Sequence, residues 1–399
     1  MGHVSEDIMI PKGFLFSAVE AAIKRPGKKD LALIVSQKEA HIAGMFTTNQ
    51  VKAAPVKLDL KKIRSGRAQS IIVNSGNANA CTGDKGMQDA REIVNRVASG
   101  LNIKPALVYI CSTGVIGVPL PMTRIRQKIS VLVRHLGRST IQDVANSIMT
   151  TDTFPKIVTK KVRIGRETGM ITGICKGAGM ICPDMATMLC FILTDIAVEQ
   201  KTLNRALRKA VGDSFNSITI DGDRSTNDTV LVMANGMLGN QHITERSSSY
   251  HQFKEAFSDV TNELSRMVVR DGEGATKFVE IEIRGARNES DARKAAFAVA
   301  NSKLVKTALY GNDVNWGRII AALGYAGITL KEERTDIYFD KIAIVKNGTG
   351  AGREGKAREV MKRKEFTILI DLNIGKASAK VLTCDLTEDY VKINASYRT

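Results

Sequence analysis

Lys176-Gly177-Ala178-Gly179-Met180-Ile181-Cys182-Pro183-Asp184-Met185-Ala186-Thr187-Met188-Leu189-Cys190-Phe191-Ile192-Leu193-Thr194-Asp195 decides how the rest of the chain is read. It starts as a Gly-containing loop around Lys176. Pro183 fixes one backbone angle and disfavours helix at Cys182. From Thr187 onward the run is apolar and rich in strand formers, long enough for one fully buried strand. A threonine therefore sits where a loop dives into the core. Cleavage of the Ala186–Thr187 bond would give Thr187 a free α-amine beside its own hydroxyl. That amine can act as the general base for the hydroxyl, as in N-terminal-threonine nucleophiles. Met-Ala-Thr-Met-Leu also fits any strand entrance, and this stretch alone leaves both readings open.

Working outward, Ser70–Val73 reads as a strand that runs into the small-residue loop Asn74–Gly83. Met87–Leu101 carries Ala90, Ile93, Val94, Val97 and Leu101 on one helical face. Leu107–Ile110 is a strand that ends in Cys111-Ser112-Thr113-Gly114. That ending fits an ordinary turn, or a pair of donors aimed at an oxyanion. Leu31–Val35 and Ala40–Phe46 read as a hairpin across Ser36–Glu39. Met122–Leu136, about 140–149, Lys201–Phe215 and Ser247–Val269 read as helices. Lys161–Ile164 and Met170–Ile174 read as a hairpin, and Phe278–Arg284 as an alternating strand. After about residue 286 the pattern changes to helices at 290–308 and 353–364 with strands near 338–345, 366–373 and 378–385. Strands and helices mix without a strict βαβ rhythm, so a doubly wound dinucleotide fold is not expected. Gly348–Gly352 lacks the Gly-Lys-Ser/Thr ending of a phosphate loop and reads as a plain loop.

The chain has 399 residues and a formal net charge of +17, enough length for two or three domains. The charge suits either anionic partners or a solubilising surface. The basic residues form only short clusters such as Lys362-Arg363-Lys364, and aromatic residues are scarce. A nucleic-acid partner is therefore not expected. Six cysteines show no Cys-x-x-Cys pair, and the five histidines share no motif, so neither a metal site nor a disulfide framework is expected. Glu6 and Asp7 interrupt the start, where no apolar signal segment follows, and no apolar run reaches spanning length. A cytoplasmic protein with no membrane partner is expected.

Beyond the opening stretch, a series of blocks resembles the ornithine acetyltransferases (glutamate N-acetyltransferases) of arginine biosynthesis. They are Asn74–Gly83, Ser112–Gly117, Thr150–Thr153, Asp221–Asp223, Ser225–Asp228, Arg270–Lys277, Gly311–Asp313, Asn315–Arg318 and Asn394–Thr399. The resemblance implies an α/β (α+β) fold: a main αββα layered domain over 1–285, built from both products of self-cleavage between Ala186 and Thr187, and a smaller C-terminal α/β domain over 286–399. It implies Thr187 as nucleophile, with the Thr113 hydroxyl and Gly114 N–H as the oxyanion hole. Substrate contacts would come from Thr150, Lys176, Thr187, Glu273, Asn394 and Thr399. The implied reaction is ping-pong: N2-acetyl-L-ornithine acetylates Thr187, and L-glutamate takes the acetyl group. Acetyl-CoA is a possible further donor, and no cofactor or metal is implied. The fragments 1–186 and 187–399 would associate, two of each.

Each residue type makes chemical sense in its role. Lys176 suits a substrate α-carboxylate, and Glu273 suits an ammonium. The two could equally pair with each other or lie on the surface, and Thr399 could be a frayed terminus. The alternative activity is an N-terminal-nucleophile aminopeptidase or amidase. The chain departs from the family pattern at Val314, where proline is expected, and at Arg224, where a small or uncharged residue is expected. The first is expected to loosen its loop.

Overall fold

The structure is a computed structural model that describes residues 9–24, 26–182 and 188–396. An eight-stranded sheet dominates the first part. It comprises β1 (Phe14–Val19), β2 (Leu31–Phe46), β3 (Arg67–Asn77), β4 (Val108–Val115), β5 (Lys156–Ile164), β6 (Glu167–Lys176), β7 (Leu189–Thr194) and β8 (Thr229–Ala234). The strand order is β4-β3-β2-β8-β7-β6-β5, with β1 paired to β2.

The expected hairpin at residues 31–46 is instead one long strand. Leu31–Val35 pairs with β1 and β3, and His41–Phe46 pairs with β8. Ser36–Glu39 contains no glycine or asparagine and has no residue in the left-handed region, so it cannot make a tight hairpin turn. The register slips between Val35 and Ala40, and the strand passes from one half of the sheet to the other.

Side chains alternate across each strand, and here both faces are buried. Phe191 and Leu193 of β7, Leu231 and Met233 of β8, and Ile71 and Val73 of β3 share one inner core. Cys190, Ile192, Val230 and Val232 point the other way. They pack against helices α5 (Gln200–Asp213) and α6 (Tyr250–Arg270), through Leu203, Leu207, Phe253, Phe257 and Leu264 among others. On the far side, Leu33, Ile72 and Ile110 meet α1 (Ala54–Lys62), α2 (Gly83–Leu101) and α3 (Met122–Arg134). The two halves of the sheet thus face each other between helical layers, the αββα arrangement expected. Helix α4 (Ile141–Ile148) is wedged into the inner core through Ile141, Val144 and Ile148. A Thr140–Asp143 capping box starts it.

A second, six-stranded sheet has the order β12-β11-β10-β13-β9-β14. Its strands are β9 (Phe278–Ala286), β10 (Asp336–Phe339), β11 (Ile342–Lys346), β12 (Thr349–Gly350), β13 (Glu365–Asp371) and β14 (Ala377–Cys384). It has its own core, with residues from α7 (Glu289–Asn301), α8 (Lys303–Tyr310), α9 (Trp316–Gly324) and α10 (Glu354–Met361). The single helix expected at 290–308 is two. Ser302 leaves the helical region, and its hydroxyl accepts the Val305 N–H as the cap of α8. Val314 is buried in this second core, so burial anchors the loop it was expected to loosen. Helix α11 (Glu388–Ala395), capped by Thr387, returns towards the main sheet. Of the six cysteines, Cys111, Cys175, Cys182, Cys190 and Cys384 are buried and Cys81 is exposed, and none of the six is in a disulfide.

Candidate active site

β4 and β3 run parallel, and at their ends Ser75 stands opposite Thr113 and Gly76 opposite Gly114. Gly114 has φ of +132°, and a Cβ there would lie 2.3 Å from the Gly76 carbonyl carbon. Only glycine lets the two strand ends approach this closely. Thr113 and Gly114 line a cleft together with Thr150, Lys176, Glu273 and Asn394. Six of the residues singled out from the sequence therefore converge from β4, the α4–β5 connection, β6, the loop after α6, and α11. Ala186, Thr187 and Thr399 lie outside the described residues. The chain re-enters at Met188, whose N–H donates to Asp228 Oδ1 at 3.0 Å, and continues directly into β7.

Lys176 is the last residue of β6 and pairs with Leu189 of β7, so it belongs to the sheet and not to a flexible loop. It is only 2% exposed, and burial pulls its ammonium below the ordinary lysine range. Among the described residues its ion-pair partner is Asp152 and not Glu273. Asp152 Oδ2 lies 4.0 Å from Lys176 Nζ.

Asp152 belongs to a buried charge cluster that sequence reasoning missed. Lys156 Nζ donates to Asp152 Oδ1 at 2.8 Å and to Asp271 Oδ2 at 2.5 Å. Asp152 also accepts N–H bonds from Thr150 at 3.0 Å and Gly177 at 2.7 Å. Burial alone would raise the Asp152 pKa, but Lys176, Lys156 and the Gly177 N–H hold it down at about 2. Burial likewise opposes the Lys156 charge, yet Asp152 and Asp271 raise its pKa above the ordinary value. A signal for Lys156 was present in the sequence. It alternates with Val158, Val162 and Ile164, which places a lysine on the buried face of β5.

Glu273 is held from three sides. Its N–H donates to Ala178 O at 2.7 Å, and Asn394 Nδ2 donates to its Oε2 at 2.7 Å. Gly179 supplies the third contact, since a Cβ there would lie 2.4 Å from the Glu273 carboxyl carbon. Asn394 Nδ2 also donates to Tyr390 O, which fixes it on α11. Near the cleft, Tyr390 Oη donates to Asp221 at 3.2 Å, and Asp221 accepts the Met180 and Ile181 N–H groups.

The profile of the ArgJ family matches residues 15–399. A curated relative from Geobacter sulfurreducens, arginine biosynthesis bifunctional protein ArgJ, is 53% identical over 390 residues, covering 97% of this chain and 99% of its own. The chain belongs to the ArgJ family. A second ArgJ protein, from Caldanaerobacter subterraneus subsp. tengcongensis, is 49% identical over 397 residues, covering 98% of each chain. The crystal structure of the ArgJ protein from Bacillus halodurans is 41% identical with a TM-score of 0.50, covering 52% of this chain and 98% of that one. The ArgJ match extends over both sheets and over every described residue of the cleft.

Proposed function

We propose that the protein transfers the acetyl group of N2-acetyl-L-ornithine to L-glutamate through an acetyl-Thr187 intermediate. The observation that carries this reading is the convergence of Thr113, Gly114, Thr150, Lys176, Glu273 and Asn394 on one cleft. The Thr113 hydroxyl and Gly114 N–H would receive the oxygen that turns negative as the acyl carbon becomes tetrahedral. Lys176 would capture the α-carboxylate that both substrates carry. Glu273 would receive an ammonium, with Asn394 orienting it. Thr187 Oγ attacks the acetyl carbonyl, the C–N bond breaks, and ornithine leaves with the proton that the α-amine took from the hydroxyl. Attack by the glutamate amine then releases N-acetylglutamate and restores Thr187.

The same donors serve self-cleavage between Ala186 and Thr187. The solved Bacillus halodurans chain, matched over nearly all its length, covers about the share of this chain that a fragment starting at Thr187 would fill. The fragments 1–186 and 187–399 would stay associated, two of each, in the cytoplasm. The C-terminal domain would begin with β9, slightly before residue 286, because Val279, Ile281 and Ile283 pack in the second core. Relatives are called bifunctional, and acetyl-CoA is proposed as the second acetyl donor.

Mass spectrometry tests this directly. Purified protein is expected as two fragments, the second starting at Thr187. N-acetylornithine should add one acetyl group to that fragment, and glutamate should remove it. A full-length chain with transferase activity would overturn the N-terminal nucleophile. Acetate release independent of glutamate would assign a hydrolase instead.

A further inference from the structure

Two adjacent residues before β8 grip the two strands on which the proposed chemistry depends. Asn227 lines the cleft and is 5% exposed. Its Nδ2 donates to Ser112 O at 2.8 Å and to Ala78 O at 2.7 Å. Its Oδ1 accepts from the Thr226 hydroxyl, and its N–H donates to Ser225 Oγ at 3.1 Å. Every polar group of the side chain is thus engaged. Its orientation is set too, because only the amide nitrogen can satisfy two carbonyls. The Ser112 carbonyl belongs to the peptide unit that leads into Thr113.

Asp228, the next residue, reaches the other way. Its Oδ1 accepts the Met188 N–H, the first described N–H after Thr187. Thr229 N–H closes on Met188 O at 3.1 Å, so the grip continues into the parallel pairing of β7 and β8. The segment itself is anchored to the end of β2. Thr47 Oγ1 donates to Ser225 O at 2.8 Å, and Thr47 N–H donates to Asp228 O at 3.0 Å.

We infer that Asn227 and Asp228 are positioning residues, a two-residue bracket that sets the separation between the Thr113–Gly114 oxyanion donors and Met188, the residue next to the proposed nucleophile in the chain. This rests on the reading of Thr187 and Thr113 given above. The reason to expect a kinetic effect is geometric: an error of about 1 Å between nucleophile and oxyanion site costs about a hundredfold in rate. Thr113 and Gly114 lie on the 1–186 side of the proposed cut, and Asn227 and Asp228 lie on the other. The bracket would therefore hold the two halves of the site together after cleavage. Burial raises the Asp228 carboxyl well above the ordinary carboxylate range, and the role of its Oδ1 as acceptor of the Met188 N–H is one that an asparagine Oδ1 can imitate.

The test measures self-cleavage, and kcat and KM per cleaved molecule, for Asn227→Asp, Asp228→Ala and Asp228→Asn, each with a melting curve. Asn227→Asp keeps the shape and removes both donors. Asn227→Asp and Asp228→Ala should each lower kcat about ten- to a hundredfold, leave both KM values within about twofold, and slow self-cleavage in parallel. Asp228→Asn should recover most of what Asp228→Ala loses. Thr113→Ala combined with Asn227→Asp should lose less than the product of the single losses, because both act on one oxyanion site. A folded Asn227→Asp enzyme with wild-type kcat would overturn the inference, as would a loss seen only in KM or in melting temperature. If Asn227→Asp does not fold, the Asp228→Ala and Asp228→Asn pair decides. Unchanged kcat in Thr113→Ala alone would instead sink the underlying reading of the oxyanion site.

Discussion

Lys176 Nζ stands 4.0 Å from Asp152 Oδ2, close enough for charge attraction and too far for a hydrogen bond. Asp152 is already engaged by Lys156 and by the Thr150 and Gly177 N–H groups. No hydrogen bond joins the Lys176 ammonium to a described residue, although it is almost fully buried at the cleft. A buried cation in that state suits an incoming carboxylate. Lys176→Met should therefore weaken both half-reactions by about ten- to a hundredfold, the range of one charge-assisted contact. Single-turnover kinetics on folded protein check this. Constants equal to wild type would remove Lys176 from substrate capture.

Asp152→Asn should be strongly destabilising. It leaves two buried ammoniums with fewer opposite charges, and breaking a buried pair costs about 3–5 kcal/mol. Urea unfolding at pH 7 measures the loss. The pH dependence has a definite sign. Asp152 is held at about 2, below its unfolded value, so its contribution is present above the unfolded pKa and is lost as pH falls towards 2. The stability gap between wild type and Asp152→Asn should narrow across that window. A gap that stays constant down to pH 2 would contradict the assignment.

Gly179→Ala probes Glu273 without touching its charge. The new methyl would sit 2.4–2.5 Å from all three carboxyl atoms, so Glu273 must move and lose its bond from Asn394. Gly179 does not need a left-handed backbone, so the cost falls on the side chain. Turnover should fall while the melting temperature changes little. An active Gly179→Ala enzyme would show that Glu273 need not be held in place.

Lys24 offers a test at high pH. Burial is the main reason its pKa drops to about 8, with Lys176 adding to the effect and Asp30 opposing it. Its Nζ donates to Ser147 O and Met149 O, just before Thr150. Between pH 8 and the unfolded lysine value, the unfolded chain binds more protons, so this group makes stability rise with pH. Lys24→Met should flatten that rise relative to wild type. Melting temperatures at pH 7.5 and 10 give the comparison, and identical pH slopes would place Lys24 outside this window.

Much of the architecture was legible because it depends on local periodicity. Ala90, Ile93, Val94 and Val97 marked α2, and the apolar run after Thr187 marked β7. Six residues of the cleft were legible for a different reason, since their blocks matched a family pattern. The sequence could not show that Leu31–Phe46 is one strand, because the partners of its two halves, β3 and β8, lie far apart in the chain. Nor could it show that Lys156 takes Asp152 and Asp271, since Asp271 is 115 residues away. The Asn227 amide, which joins Ser112 and Ala78 across 115 and 149 residues, escaped for the same cause. Periodicity determined most of the elements, and motif determined which residues to propose as reacting groups. The αββα closure alone decided which charges neutralise one another and which cation is left open to the cleft. Those outcomes depend on distances between side chains that folding, not sequence proximity, brings together.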